Sequence, residues 1–188
     1  VGGSAADPRQ VWRRFAERWP LFAGTASGYW ISESLQNVLD VTVPLSAATA
    51  DEAYDRIADQ LATPELRPRA LFERFGIEVL ATTDDPLDDL AGHAALAAEG
   101  AVGRVLPTFR PDRYLDPDAA GFAQNVERLV AETGSPGTFA GYLAALEQRR
   151  RYFIEHGAVS ADHGVEVPDT LDLAPEEGEG LFARVVSG

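Results

Sequence analysis

The chain has 188 residues, 45% of them hydrophobic and 24% charged, the profile of one soluble globular domain or a domain with a subdomain. A net charge of −14 and a pI near 4.5 argue against nucleic acid and anionic membrane as partners. All 16 basic residues are arginine and cysteine is absent, so lysine Schiff bases, thiol nucleophiles, disulfides and cysteine-held zinc are excluded.

No run approaches the roughly 18 apolar residues of a membrane helix. The opening "VGGSAADPRQVW" has no apolar core of a secretory leader. The chain holds no methionine, and it reads as a piece of something longer.

Residues 1 to about 75 read as a helical subdomain. "DPRQVWRRFAERW" places Asp7 as N-cap, Pro8 at the first helical position, and Val11, Trp12, Phe15 and Trp19 at helical spacing. The stretch from Phe22 to Ser46, with "SGYWISESL" inside it, is ambiguous. "TADEAYDRIADQLA" has the capping-box pair Thr49 and Glu52 and a face of Ala53, Ile57 and Leu61. "PELRPRALFERFG" predicts a further short helix ending near Gly76.

From residue 77 strands and helices alternate. "IEVLATT" (77–83) predicts a buried strand, and Asp85-Pro86 opens a helix that Gly100 stops. "VGRVLPT" (102–108) predicts a second strand. Asp116-Pro117 opens the next helix, stopped by Gly134; Thr138 caps a third, stopped by Gly157. "AVSA" (158–161) predicts a third, short strand, and the tail a loop and then a helix over about 175–186. Such β-α-β repetition means parallel strands with right-handed crossovers.

In parallel α/β folds ligands lie beyond the carboxyl ends of the strands. The three loops there are "TTDDP", with Asp84 and Asp85; "PTFRPD", with Arg110 and Asp112; and "SADHG", with Asp162 and His163. Arg110 can grip a carboxylate through parallel hydrogen bonds, or simply pair with Asp112 on the surface. Asp84 serves either the loop or the site; Asp85 reads as a helix cap. His93, mid-helix, and His156, at a helix C-terminus, read as structural. "EQRRR" reads as a solvated helix face closing onto acids, and "PEEGEG" as a surface loop.

"FGIEVLATTDDPLDDLAGH", "VLPTFRPD", "ALEQRRRYFIEHG" and "SADHGVE", in that order, together with "SGYWISESL", resemble the uronate (glucuronate) isomerases of the amidohydrolase superfamily. The resemblance implies an α/β fold: part of a (β/α)8 TIM barrel over 76–188, with parallel strands, and an N-terminal helical insertion subdomain over 1–75. It implies interconversion of D-glucuronate with D-fructuronate and of D-galacturonate with D-tagaturonate. Arg110 and Asp162 would be catalytic; Arg110, Asp84, His163 and Trp30 would touch the substrate. A divalent metal, zinc, is implied for the complete enzyme and none for this segment, because the family's first-strand His-x-His pair is not in it. The later histidine and the last-strand aspartate and arginine are not in it either. Implied partners are a small uronate and either further copies of the chain or the remainder of the barrel; the implied compartment is the cytoplasm. Two readings stand beside this one: a non-catalytic binding module derived from the family, or another metal hydrolase of the same superfamily.

Overall fold

The computed structural model describes residues 7–100, 103–164 and 171–187. Parts of three expectations therefore lie outside the described residues: the opening six residues, Val102 of the second strand, and 165–170 of the tail. The chain divides into two compact units, Val1–Gly76 and Ile77–Gly188.

The first unit is helical. Helix α1 (Pro8–Arg18) starts as its sequence dictates: the Asp7 side chain accepts from the Arg9 N–H, and Pro8 fills the first turn, where a missing N–H costs nothing. The ambiguous stretch forms α2 (Ala26–Asn37), capped by the Thr25 hydroxyl on the Gly28 N–H. Gly28 is required there, since a Cβ would stand 2.2 Å from the Phe22 carbonyl oxygen.

Helix α3 (Ala50–Leu61) follows Thr49, but the expected capping box does not form. The Thr49 hydroxyl instead donates to the Pro44 carbonyl at 2.6 Å and accepts from the Ser46 N–H at 3.0 Å, closing the preceding turn. Of the predicted apolar face, Ala53 is buried and Ile57 packs beside it, whereas Leu61 is exposed. The α1 and α3 faces meet around Ala16, Leu35, Val41, Leu45 and Ala53, and the Trp12 indole donates to the Ala50 carbonyl at 2.7 Å. A 3-10 turn at Pro64–Leu66 and α4 (Pro68–Arg74) replace the single short helix, because Pro68 cannot continue one.

The second unit holds the sheet. Strands β1 (Val79–Ala81) and β2 (Arg104–Leu106) pair in parallel, with Val79, Leu80 and Ala81 opposite Arg104, Val105 and Leu106. The ladder resumes past a gap: Asp84 bridges Phe109, and Phe109 bridges Ala161, both in parallel. The third strand is thus a single bridge rather than an extended segment. The expectation of a buried first strand fails, since Val79 and Leu80 remain nearly half exposed. A continuous apolar run signals burial only when both faces are covered, and among the described residues β1 pairs on one side alone.

Two helices start later than predicted, for one physical reason. The Asp85 carboxylate accepts from the N–H of Leu87, Asp88 from that of Leu90, and Asp89 from that of Ala91. Each aspartate closes a turn on the residue two ahead instead of capping a helix. Helix α5 (Ala91–Ala98) begins only after Leu90, whose φ is +55°. Asp116 turns onto Asp118 in the same way, and Gly121, at φ +85°, precedes α7 (Phe122–Thr133). A short α6 (Asp112–Leu115), which the sequence did not announce, follows β2.

Helix α8 (Phe139–Glu155) is capped by Thr138 on Gly141, and α9 (Pro175–Ser187) closes the chain. "PEEGEG" is the first part of α9, not a loop. Gly178 lets it approach α8: a Cβ there would lie 2.7 Å from the Phe139 ring. The core of this unit gathers Leu90, Phe109, Tyr114, Phe122, Val126, Leu129, Tyr142, Phe153 and Phe182. Among the described residues no helix is long and apolar enough to cross a membrane.

Candidate functional site

The end of the ladder sets the site. Asp84 donates its N–H to the Thr108 carbonyl, and Arg110 donates to the Asp84 carbonyl at 3.1 Å. Phe109 donates to the Ser160 carbonyl, and Asp162 to the Phe109 carbonyl at 3.0 Å. Backbone pairing alone therefore puts Asp84, Arg110 and Asp162 at adjacent strand ends. The platform below is firm: Phe109 is 2% exposed, and its ring meets Phe153 edge-on at 5.2 Å.

From that platform the Arg110 guanidinium reaches two acids. Nε donates to Asp112 at 2.7 Å, and Nη1 lies 3.2 Å from Asp162. Asp112 is also used twice, since its other oxygen accepts the Gly164 N–H at 2.9 Å. Its carboxyl is held below the ordinary range, first by the Arg110 hydrogen bond, then by the Gly164 N–H and the positive charges of Arg110 and His163, against some cost of burial. His163 is exposed, and among the described residues no hydrogen bond reaches it.

Asp84 is occupied differently. Its Oδ2 accepts from the Thr82 hydroxyl at 2.7 Å and the Thr108 N–H at 3.3 Å. The same hydroxyl lies 2.8 Å from His93 Nε2 on α5, so His93 ties helix to strand end. His156 lies at the end of α8, its Nδ1 2.8 Å from the Tyr152 carbonyl oxygen.

Asp85 is not a helix cap. Its carboxylate takes the Tyr114 hydroxyl at 2.9 Å and Arg113 at 3.0 Å, binding the first loop to α6. Burial, then the Asp85 contact, pushes the Tyr114 phenol well above its usual range. The "EQRRR" face is largely exposed and closes onto an acid as expected at Arg151, which pairs with Glu147, and departs from expectation at Arg149. Arg149 reaches no acid but donates to the carbonyls of Pro86 and Asp88, because the turns at 85–90 leave those oxygens free.

Thr83, Asp84, Asp85, Arg110, Asp112 and Arg113 surround an open hollow of about 310 Å³. That lies at the small end of ligand pockets, roughly 300–1,000 Å³. Two arginines face four aspartates here, counting Asp162, so an anion would be held by directed N–H groups rather than by the local field. Trp30 is not among the residues lining this hollow. It belongs to the first unit, on α2, largely exposed beside a different hollow lined by Trp19, Phe22 and Tyr29.

Sequence reading passed over Asp112 as a surface partner and did not weigh Thr82 or Tyr114. The Arg-x-Asp spacing of 110 and 112 was visible, but the contact from Asp112 to Gly164, fifty-two residues on, has no sequence signature.

The glucuronate isomerase family model matches residues 1–188. The chain belongs to that family. Uronate isomerases from Rhizorhabdus wittichii and Corynebacterium efficiens are 50% and 48% identical to it, over 99% and 100% of its residues. The crystal structure of glucuronate isomerase from Caulobacter crescentus superposes on all of it with a TM-score of 0.89 at 41% identity. Uronate isomerase from Thermotoga maritima gives the same score at 29% identity over 98% of the chain. The chain spans about two fifths of these proteins: 40% and 41% of the two relatives, 39% and 41% of the two structures. The family resemblance carried by "TTDDP", "RPD" and "SADH" is thereby borne out.

Proposed function

We propose that this chain is a section of a uronate isomerase that interconverts D-glucuronate with D-fructuronate and D-galacturonate with D-tagaturonate. The observation that carries the reading is the match of the glucuronate isomerase family to the entire chain, with Arg110 and Asp162 3.2 Å apart at neighbouring strand ends. In this proposal the three parallel segments are consecutive strands of a (β/α)8 barrel, and residues 1–75 are its helical insertion. The remaining strands come from the rest of the polypeptide, and the assembled enzyme is a cytoplasmic homo-oligomer.

Arg110 holds the substrate carboxylate. Nε is engaged by Asp112 and Nη1 by Asp162, while Nη2 takes no partner among the described residues. A guanidinium so placed offers a directed N–H edge to an anion, which compensates for the acids around it. Asp162, Asp84 and His163 lie at the same strand ends and serve hydroxyl recognition. The isomerisation moves a proton between C2 and C1 through an enediol-like intermediate. Asp162 orients a hydroxyl in that scheme and is not assigned the base.

The residues here do not fit a metal centre by themselves. Among the described residues no three of His, Asp or Glu come together to hold an ion. Asp84, Asp85 and Asp112 are already committed to Thr82, Tyr114, Arg113, Arg110 and Gly164. Zinc takes four ligands, or three and a water. A divalent metal, zinc, would be held by residues in the remainder of the polypeptide.

The test is conversion of D-glucuronate by the complete polypeptide and by its Arg110→Ala variant. Loss of the carboxylate grip is expected to lower kcat/KM about 100-fold. Undiminished turnover in the variant would remove Arg110 from the mechanism, and no turnover in the parent would favour a binding module.

A further inference from the structure

A surface arginine beside an aspartate two residues away ordinarily contributes little to stability. The pair at 110 and 112 differs in three ways. Asp112 uses both oxygens on different loops: Oδ2 takes the Arg110 Nε–H at 2.7 Å, and Oδ1 the Gly164 N–H at 2.9 Å. It therefore joins the loop after β2 to the loop that carries Asp162. It also stands on a rigid base. Two residues on, Tyr114 is 1% exposed, bonded through its hydroxyl to Asp85 and through its carbonyl to the Tyr142 hydroxyl. Finally, the carboxylate takes the Nε–H of a rigid planar fork, while Nη1 lies by Asp162 and Nη2 takes no partner among the described residues.

We infer that Asp112 is the positioning residue of this site: it fixes the plane of Arg110 and the spacing between Arg110 and Asp162 as a single unit. The inference rests on the reading of Arg110 as the carboxylate grip. Asp112 touches no substrate in it. An asparagine cannot replace it, because one face of a carboxamide donates, and either Arg110 Nε–H or Gly164 N–H would then meet another donor.

The experiment uses the complete polypeptide with Asp112→Asn, Asp112→Glu and, as a charge control on the exposed side of α3, Asp59→Asn. Two readouts are taken: steady-state kinetics with D-glucuronate, and the Nε–H signal of Arg110 in arginine-labelled NMR spectra. Asp112→Asn is expected to raise KM roughly 10- to 100-fold, with a smaller change in kcat, as misplacement of a gripping group does. The Arg110 Nε–H signal shifts and broadens in the same variant. Asp112→Glu, which keeps the charge, recovers part of the KM, and Asp59→Asn leaves both readouts unchanged. An unaltered Nε–H signal in Asp112→Asn would overturn the inference, because Asp112 would not then hold Arg110. An altered signal with unaltered KM would overturn it too, reducing the contact to an ordinary surface pair. Absence of uronate turnover in the parent would defeat the isomerase reading instead, and the Arg110 Nε–H and Gly164 amide signals would still decide whether Asp112 joins the two loops.

Discussion

The two ends of the same short ladder are built to different standards. At Val79 and Leu80 the strand is nearly half exposed, whereas at Thr108 and Phe109 it is 6% and 2% exposed. At the exposed end the strand makes its backbone pairs and little else. At the other, Phe153 backs the ladder, α6 and α8 grip the first loop, and the candidate site stands on top. The carboxyl end of this parallel sheet thus consolidates itself locally, whereas the other end stays nearly half uncovered among the described residues.

The sharpest way to break that contrast is Phe109→Ala. Removing a fully buried aromatic ring is expected to cost about 3–5 kcal/mol, read as a fall in the urea midpoint. A loss below about 1 kcal/mol would mean that the strand end is no better anchored than the strand middle. Tyr114→Phe comes next. It deletes the hydroxyl that binds Asp85 and should cost about 1–2 kcal/mol by the same measurement.

Acid titration gives a smaller effect of defined sign. Because the Asp112 carboxyl is held low in the folded chain, its stabilising contribution is complete above the unfolded carboxylate value of about 3.9. It is lost as pH falls through the lower folded value. Asp112→Asn should therefore destabilise the chain at pH 6 and converge with the parent at the acid end, in parallel urea titrations. The smallest effect belongs to the open end: Leu80→Thr should change stability by less than about 0.5 kcal/mol in this chain. A larger loss would show that the middle of β1 is more tightly packed than its exposure implies.

What the sequence displayed, and what it hid, follows the range of the interactions involved. Helices α1 and α8 were legible because Asp7 and Thr138 accept from N–H groups two and three residues away, and Pro8 lacks the N–H that a first turn leaves unpaired. The parallel order of the three segments was legible from their alternation with helices. The starts of α5 and α7 were misread, since an Asp-Pro pair signals a helix cap and a tight turn equally well; before α5 the turns are held by Arg149 and Tyr152 on carbonyls more than sixty residues away. At the site, Arg110 was legible from its place after a strand. Asp112 was not, because half of its partnership lies on another loop.

Leu90 has a consequence for the order of events in folding. A branched, fully buried side chain sits there on a backbone with φ of +55°, a basin it would avoid in isolation. The apolar pocket formed with α8 and its neighbours compensates for that cost, helped by the Asp88 carboxylate on the Leu90 N–H. The aspartate turns at 85, 88 and 89 are local and can close early, but Leu90 keeps its left-handed backbone only once α8 has docked. Leu90 and the start of α5 are then expected to be among the last parts of this unit to set.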